Sequence, residues 1–308
     1  MSTSLRHFLG IKGVPEKTLR EMLTLAARYK AERKTISWRP LANQTWAMIF
    51  TKSSTRTRVS FEVGIASLGG SSVFLDHTVS HLGEREPVGD VARSLSRWVN
   101  GIVARVFKQE SLTQLAENSH VPVINALSDL YHPCQGFADF FTLEERFGNL
   151  RGLKIAYVGD GNNVCHSVLS AGARTGAHIR IATPRGYEPD PSVVSEAKRT
   201  ARETRGKIEV LESPEEAVAD TQAIYTDVWT SMGQEEESTS RAAAFANYQV
   251  NEELFSHAAA DAIFMHCLPA HRGAEVTAEV MDSPRSIVFE QAENRLHMQK
   301  AILLTLLN

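Results

Sequence analysis

The stretch Thr45-Trp46-Ala47-Met48-Ile49-Phe50-Thr51-Lys52-Ser53-Ser54-Thr55-Arg56-Thr57-Arg58 decides the fold. Its first six residues, TWAMIF, form an apolar run of strand length and read as a buried strand. Beyond it, Val59, Val63 and Ala66 recur at helical spacing, as do Phe61, Ile65 and Leu68. Gly69-Gly70 then supplies the left-handed residue on which helices end, and Ser71 to Leu75 (SSVFL) reads as the next strand. A strand–helix–strand unit of this kind predicts a parallel sheet covered by helices. The segment Ser54 to Arg58 falls in the turn from strand to helix N-terminus, where free backbone N–H groups and the helix dipole favour an anion. Hydroxyls at 54, 55 and 57 add neutral donors, and Arg56 and Arg58 add charge with a forked geometry suited to phosphate. A serine cap followed by solvated arginines would explain Ser-x-x-Arg; five consecutive phosphate-competent side chains point to a phosphate loop.

Composition narrows the class. A chain of 308 residues predicts about two domains. With 43% apolar and 22% charged residues it has the make-up of an ordinary globular protein. The net charge of −3 provides no field for nucleic acid or an anionic membrane, so an anion site must be local. No apolar run approaches the roughly 18 residues that span a bilayer, and MSTSLRHFLGIKG lacks the apolar core of a signal peptide. Three cysteines, Cys134, Cys165 and Cys267, are sparse and lack metal-site spacing, which suits a reducing, cytoplasmic setting.

Alternation continues through the first half. Pro15 to Arg33 reads as a helix with Leu19, Met22, Leu23, Ala26 and Tyr29 on one face. His77 to Glu86 reads as a loop. Pro87 opens a helix whose expected buried face is Val88, Val91, Leu95 and Trp98. Ile102 to Phe107 is a strand, Ser111 to Asn118 a helix and Val121 to Leu127 a strand. Arg105 is the one charge in IVARVF: on an edge strand it would point outward, whereas in a covered parallel sheet it would face the crevice at the strand C-termini. His132-Pro133-Cys134-Gln135 starts an apolar helix, and its histidine and glutamine suit either capping or donation to a carbonyl oxygen.

The second half repeats the architecture from about Leu150. Strands are expected at Leu153 to Val158, His178 to Ala182, Lys207 to Leu211, Ala223 to Val228, Ala262 to Leu268 and Ser286 to Glu290. Helices are expected from the Gly159-Asp160-Gly161-Asn162-Asn163 turn to about Thr175, at Pro191 to Arg205, Pro214 to Ala219 and Asn251 to Ala259, and finally at Ala292 to Leu307. Gly159-Asp160-Gly161 invites a dinucleotide reading, but Val164 stands where the third glycine belongs. Asn162 and Asn163, Asp227, and Cys267 all fall at strand C-termini, the edge where open α/β sheets bind ligands. One carboxylate, two amides and a thiol, with Ser231 in the loop after Asp227, suit a small zwitterion. Duller readings are turn chemistry for the asparagines and a small buried group for the cysteine. His266, Cys267 and His271 match no strong zinc pattern, and no metal or other cofactor is expected.

Ser54-Thr55-Arg56-Thr57-Arg58 behind Phe50-Thr51-Lys52-Ser53, His132-Pro133-Cys134-Gln135, Asp227-Val228-Trp229-Thr230-Ser231-Met232-Gly233 and His266-Cys267-Leu268-Pro269 occur in that order, and together the chain resembles the aspartate and ornithine carbamoyltransferases. The last two blocks resemble the ornithine enzymes in particular. The resemblance implies an α/β fold of two doubly wound parallel-sheet domains with the active site in the cleft between them. It implies a carbamoyl-phosphate-binding domain over 1–148, an ornithine-binding domain over 149–291, and a last helix, about 292–308, packed back on the first. Ser54, Thr55, Arg56 and Thr57 would bind phosphate. Arg56, Arg105 and His132 would polarise the carbamoyl carbonyl, Gln135 would hold the carbamoyl amide, and Arg295 would complete that site. Asn163, Asp227, Ser231 and Met232 would grip the amino-acid end of ornithine, with Cys267 and Leu268 flanking its side-chain nitrogen.

The implied reaction is carbamoyl transfer to L-ornithine, giving citrulline and phosphate. The family's glutamine that reaches the phosphate from a neighbouring subunit is replaced here by His81, in Ser80-His81-Leu82-Gly83, and its Asp-Thr-Ala by Asp90-Val91-Ala92. The implied assembly is a homotrimer or a multiple of trimers, without nucleic acid or membrane partners. The alternative acceptors are other amines, such as putrescine or N-acetylornithine.

Overall fold

TWAMIF forms β1 (Thr45–Phe50), the second strand of a four-stranded parallel sheet in the order β2-β1-β3-β4, with β2 (Ser71–Asp76), β3 (Gly101–Arg105) and β4 (Val123–Leu127). The structure, a computed structural model, describes residues 5–33, 35, 37–76, 82–230 and 235–307. Two compact units divide the chain, Met1–Phe141 with Glu293–Asn308, and Thr142–Ala292.

In the first unit, α2 (Thr55–Ser67), α3 (Val88–Leu95) and α4 (Gln109–Asn118) connect successive strands. The right-handed crossover rule places α2 on one face and α3 and α4 on the other, because the chain reverses direction after β2. Alternate strand residues follow. Ala47, Ile49, Ile102, Ala104 and Val123 join Val88, Ala92, Leu95, Leu112, Leu115 and Ala116 in one core cluster. α1 (Glu16–Ala31) buries Leu19, Met22, Leu23, Ala26 and Tyr29, the face its periodicity marked.

The second unit is a five-stranded parallel sheet in the order β7-β6-β5-β8-β9. Its strands are β5 (Lys154–Val158), β6 (His178–Ala182), β7 (Lys207–Leu211), β8 (Ala223–Thr226) and β9 (Ile263–His266). Of the helices, α5 (Pro133–Phe147) begins in the first unit and ends in the second. α6 (Asn163–Thr175) and α7 (Pro191–Thr204) pack on each other. α8 (Pro214–Val218), α9 (Ser238–Phe245), α10 (Glu252–Ser256) and α11 (Ala278–Met281) contribute to a core with Ala156, Val158, Ala182, Ile224 and Phe264.

Three sequence expectations need correction. Trp98 is 75% exposed, because α3 ends at Leu95 and the chain turns before the tryptophan can continue its buried stripe. Ser286 to Glu290 is no strand: Ser286 makes a single bridge to Phe264, and α12 (Val288–Thr305) starts at once. The stretch between Glu237 and Asn251, for which no element is expected, contains α9, whose Arg241 and Phe245 are buried.

Gly161 shows why the turn after β5 needs a glycine. A Cβ there would lie 2.2 Å from the Pro189 nitrogen and 2.6 Å from the Tyr187 carbonyl oxygen, both backbone atoms. Gly161→Ala is therefore expected to lower unfolding free energy by about 1–3 kcal/mol, the cost of forced backbone shifts. Urea titration checks this, and unchanged stability would contradict the close approach.

Candidate functional site

Each sheet has one place where the crossovers reverse, between β1 and β3 in the first and between β5 and β8 in the second. Open α/β sheets bind ligands outside the strand C-termini at such points. The marked residues cluster at both.

At the first, β1 runs through Thr51 to Ser53 into Ser54, the N-cap of α2, whose Oγ accepts from the Thr57 N–H at 3.3 Å. A serine here satisfies one of the helix's orphan donors. Thr57 is buried, and its hydroxyl accepts from Arg295 Nη2 at 2.9 Å. The guanidinium from α12 is thus docked on the turn. Arg56 is half-buried and pairs with no carboxylate among the described residues. Arg58 is diverted: it stacks on Phe74 at 3.6 Å and pairs with Glu62 at 3.0 Å, so only one of the two arginines is available to the turn.

Arg105 ends β3 opposite Phe50, is buried, and its carbonyl accepts from the Thr51 N–H at 2.9 Å. In a sheet paired on both sides of β3 the arginine cannot be the outward residue of an edge strand. His132 is buried just before α5. Its pKa lies well below the usual imidazole range, first through lost hydration and then through the positive charges of Arg295 and Arg105. A neutral imidazole beside two guanidiniums can donate to a carbonyl oxygen without titrating near neutral pH. Gln135, in the first turn of α5, is also buried.

At the second point, Asp227 follows β8 and is 5% exposed. Its two oxygens are held separately: Asn162 Nδ2 donates to Oδ2 at 2.9 Å and the Cys267 thiol donates to Oδ1 at 3.0 Å. Asn162 also caps α6, its Oδ1 accepting from the Val164 and Cys165 N–H groups at 2.9 and 3.1 Å. Asn163 is the next residue, the first of α6. Leu268 has φ +60°, a left-handed conformation rare for a bulky residue, and its N–H donates to His266 Nδ1 at 2.8 Å. His266 Nε2 faces the buried Glu275 at 3.3 Å.

Asn162, which the sequence offers either as a ligand-edge amide or as turn chemistry, holds the aspartate here. Two other supports carry no mark in the sequence. Glu275 escaped notice because nothing local marks a glutamate that meets a histidine nine residues earlier. The pair Asp160–Arg241, 3.2 Å apart and both buried, ties the turn after β5 to α9. Burial raises Asp160 to about 7, with Arg241 opposing the shift, so its charge is complete only above neutrality. Arg241 also donates to the Trp229 carbonyl at 2.9 Å and to Glu237 at 3.1 Å. His81, Ser231 and Met232 lie outside the described residues.

Donor atoms of Asp227, His266 and Cys267 lie within 4.8 Å of one another. Each is already engaged by the hydrogen bonds above, so the group reads as the support of a fixed carboxylate.

Comparison with known proteins defines the class. Residues 6–145 match the family model described as the aspartate/ornithine carbamoyltransferase carbamoyl-P binding domain, and residues 151–306 its Asp/Orn binding domain. The chain belongs to the aspartate/ornithine carbamoyltransferase family. Within it, the chain is 51% identical over 305 residues to the ornithine carbamoyltransferase of Acidothermus cellulolyticus, covering 99% of this chain and 97% of that one. It is 56% identical over 265 residues to that of Thermococcus kodakarensis, covering 86% and 84%. Among solved structures, the ornithine carbamoyltransferase of Pyrococcus furiosus superposes with a TM-score of 0.95 at 49% identity, over 98% and 97% of the two chains.

Two outcomes test this geometry. Asn162→Ala removes both a helix cap and a partner of Asp227 and should cost about 1–3 kcal/mol in urea titration; a cost near zero would contradict the double role. For His132 the folded pKa is below the unfolded value, so the unfolded chain takes up the proton first as pH falls. Unfolding free energy should decline below pH about 6.5 on this account, and His132→Asn should show a shallower decline between about pH 7 and 5. Equal slopes would contradict a buried neutral imidazole.

Proposed function

We propose that the chain is an L-ornithine carbamoyltransferase, transferring the carbamoyl group of carbamoyl phosphate to the side-chain amine of L-ornithine to give L-citrulline and phosphate, in arginine metabolism. The observation that carries the reading is Asp227, a buried carboxylate held on both oxygens by Asn162 and Cys267 at a sheet's switch point. Such a group suits the ammonium of an amino acid. The relatives named above support the choice of ornithine.

The domain proposed over 1–148, with the helix over about 292–308, takes carbamoyl phosphate. Ser54, Thr55, Arg56 and Thr57 bind its phosphate, aided by the N-terminus of α2. Arg56, Arg105 and His132 polarise the carbonyl, Gln135 receives the carbamoyl amide, and Arg295 holds the phosphate turn in place. The domain proposed over 149–291 takes ornithine through Asn163, Asp227, Ser231 and Met232. Cys267 and Leu268 attend the reacting nitrogen and the carbamoyl group.

The chemistry is direct. The neutral amine attacks the carbonyl carbon, negative charge builds on the carbonyl oxygen, and phosphate leaves with the C–O bond's electrons while the amine sheds a proton. Preorganised arginines placed where that charge develops supply the largest catalytic contribution in sites of this kind. A side-chain ammonium has a pKa near 10.4, so about one ornithine in a thousand is nucleophilic at pH 7. Turnover should therefore rise toward alkaline pH.

The assembly we propose is a homotrimer or a multiple of trimers in the cytoplasm, with His81 approaching a neighbour's phosphate. Val59 and Val63 on α2 and Val73 on β2 are 49%, 47% and 48% exposed, apolar surface that a second copy would cover. Sedimentation velocity tests it, and a monomer at assay concentration would contradict it.

Two variants separate the two substrate sites. Arg56→Ala should lower turnover roughly a hundredfold or more with an unchanged melting profile. Asp227→Asn should abolish citrulline formation while calorimetry still shows carbamoyl phosphate binding. Near-normal turnover in either would overturn the assignment of that residue.

A further inference from the structure

Gln135 carries an amide whose two ends have nearly the same shape and opposite hydrogen-bonding character. Its Nε2 donates to Asp139 Oδ1 at 2.8 Å, one turn further along α5, and both residues are 1% exposed. With Asp139 Oδ1 as the acceptor, the NH2 end of the amide is held and the carbonyl end faces away. That carbonyl oxygen, Oε1, is buried and has no hydrogen-bond partner among the described residues. Buried acceptors are nearly always satisfied in native proteins, and one that is not marks a place for a donor the chain itself does not supply. The same turn carries His132, whose carbonyl accepts from the Gln135 N–H at 3.0 Å.

We propose that Asp139 is a positioning residue that fixes the amide of Gln135 with its carbonyl toward the substrate, and so selects an acyl phosphate bearing N–H donors over one bearing a methyl group. The inference rests on the assignment of Gln135 to the carbamoyl group. Carbamoyl phosphate and acetyl phosphate share the phosphate and the carbonyl, and differ in an NH2 against a CH3 of similar size. With Asp139 present, the NH2 meets an acceptor. Were the amide reversed, donor would face donor, and the preference for the carbamoyl group would go. Asp139 makes the reversed state costly, because it would set an amide oxygen against a carboxylate oxygen in a buried site.

Asp139→Asn tests this in the full chain, since asparagine keeps the shape and accepts either end of the glutamine. The readouts are kcat/KM for carbamoyl phosphate and the competitive inhibition constants of acetyl phosphate and inorganic phosphate. Preference for carbamoyl over acetyl phosphate should fall between about twofold, for an amide free to take either orientation, and about tenfold, the worth of one neutral hydrogen bond, with phosphate inhibition unchanged. Gln135→Met should show at least as large a loss, and adding Asp139→Asn to it no further loss, because Asp139 acts through Gln135.

A preserved preference in Asp139→Asn overturns the proposal, as does equal weakening of all three ligands. If Asp139→Asn does not fold, Gln135→Met decides, and a retained preference there overturns it. Absence of carbamoyl transfer in the unaltered protein would instead strike the proposed function itself, so the two failures are distinguishable.

Discussion

In a parallel sheet every connection must cross over, and where successive crossovers run in opposite directions two adjacent strands end with no helix passing above them. This chain meets that constraint twice, at β1/β3 and at β5/β8. At the first, the reversal exposes the start of α2 beside the end of β3, so a capped helix N-terminus and a buried arginine share one edge. At the second, it exposes the turn after β5 beside Asp227, which is why an asparagine that caps α6 can also hold the aspartate. Strand order, set by the apolar pattern of the core, fixes where polar chemistry can stand.

The two edges manage charge in opposite ways. The first gathers cations in a chain whose net charge is −3. It does so by neutralising the histidine through burial and by turning Arg58 away onto Phe74 and Glu62. What remains are the guanidiniums, hydroxyls and backbone N–H groups proposed to bind the phosphate. The second edge holds a carboxylate by hydrogen-bonding both its oxygens, and a buried pair, Asp160 and Arg241, ties the turn after β5 to α9. Breaking a buried pair leaves an uncompensated charge, which is costlier than the pair is stabilising.

Much of this was legible in the sequence, for identifiable reasons. β1, β6 and β7 were readable residue for residue because short apolar runs bounded by glycine, proline or polar turns admit few alternatives. The phosphate turn was readable because its chemistry is contiguous. Arg105 was readable only as a choice between an outward and an inward arginine, and β3's place inside the sheet resolves it. Trp98 misled because helical spacing was extended past a helix that stops at Leu95. The strand expected at Ser286 gave way because an apolar Ser-Ile-Val-Phe run fits the start of a helix as well as a strand. Glu275, Asp160 with Arg241, and Asp139 were missed for a common reason. Each acts through a partner that only the fold, or the far side of a helical turn, brings near.

As proposed above, the chain transfers the carbamoyl group to L-ornithine. Citrulline-type product formation from carbamoyl phosphate at about pH 8, where the neutral amine is more plentiful than at pH 7, tests it most directly. L-ornithine, putrescine, L-aspartate and N-acetylornithine would be offered in parallel. Turnover is expected with L-ornithine, and none comparable with the other three. Turnover confined to another amine, or none with any, would contradict it.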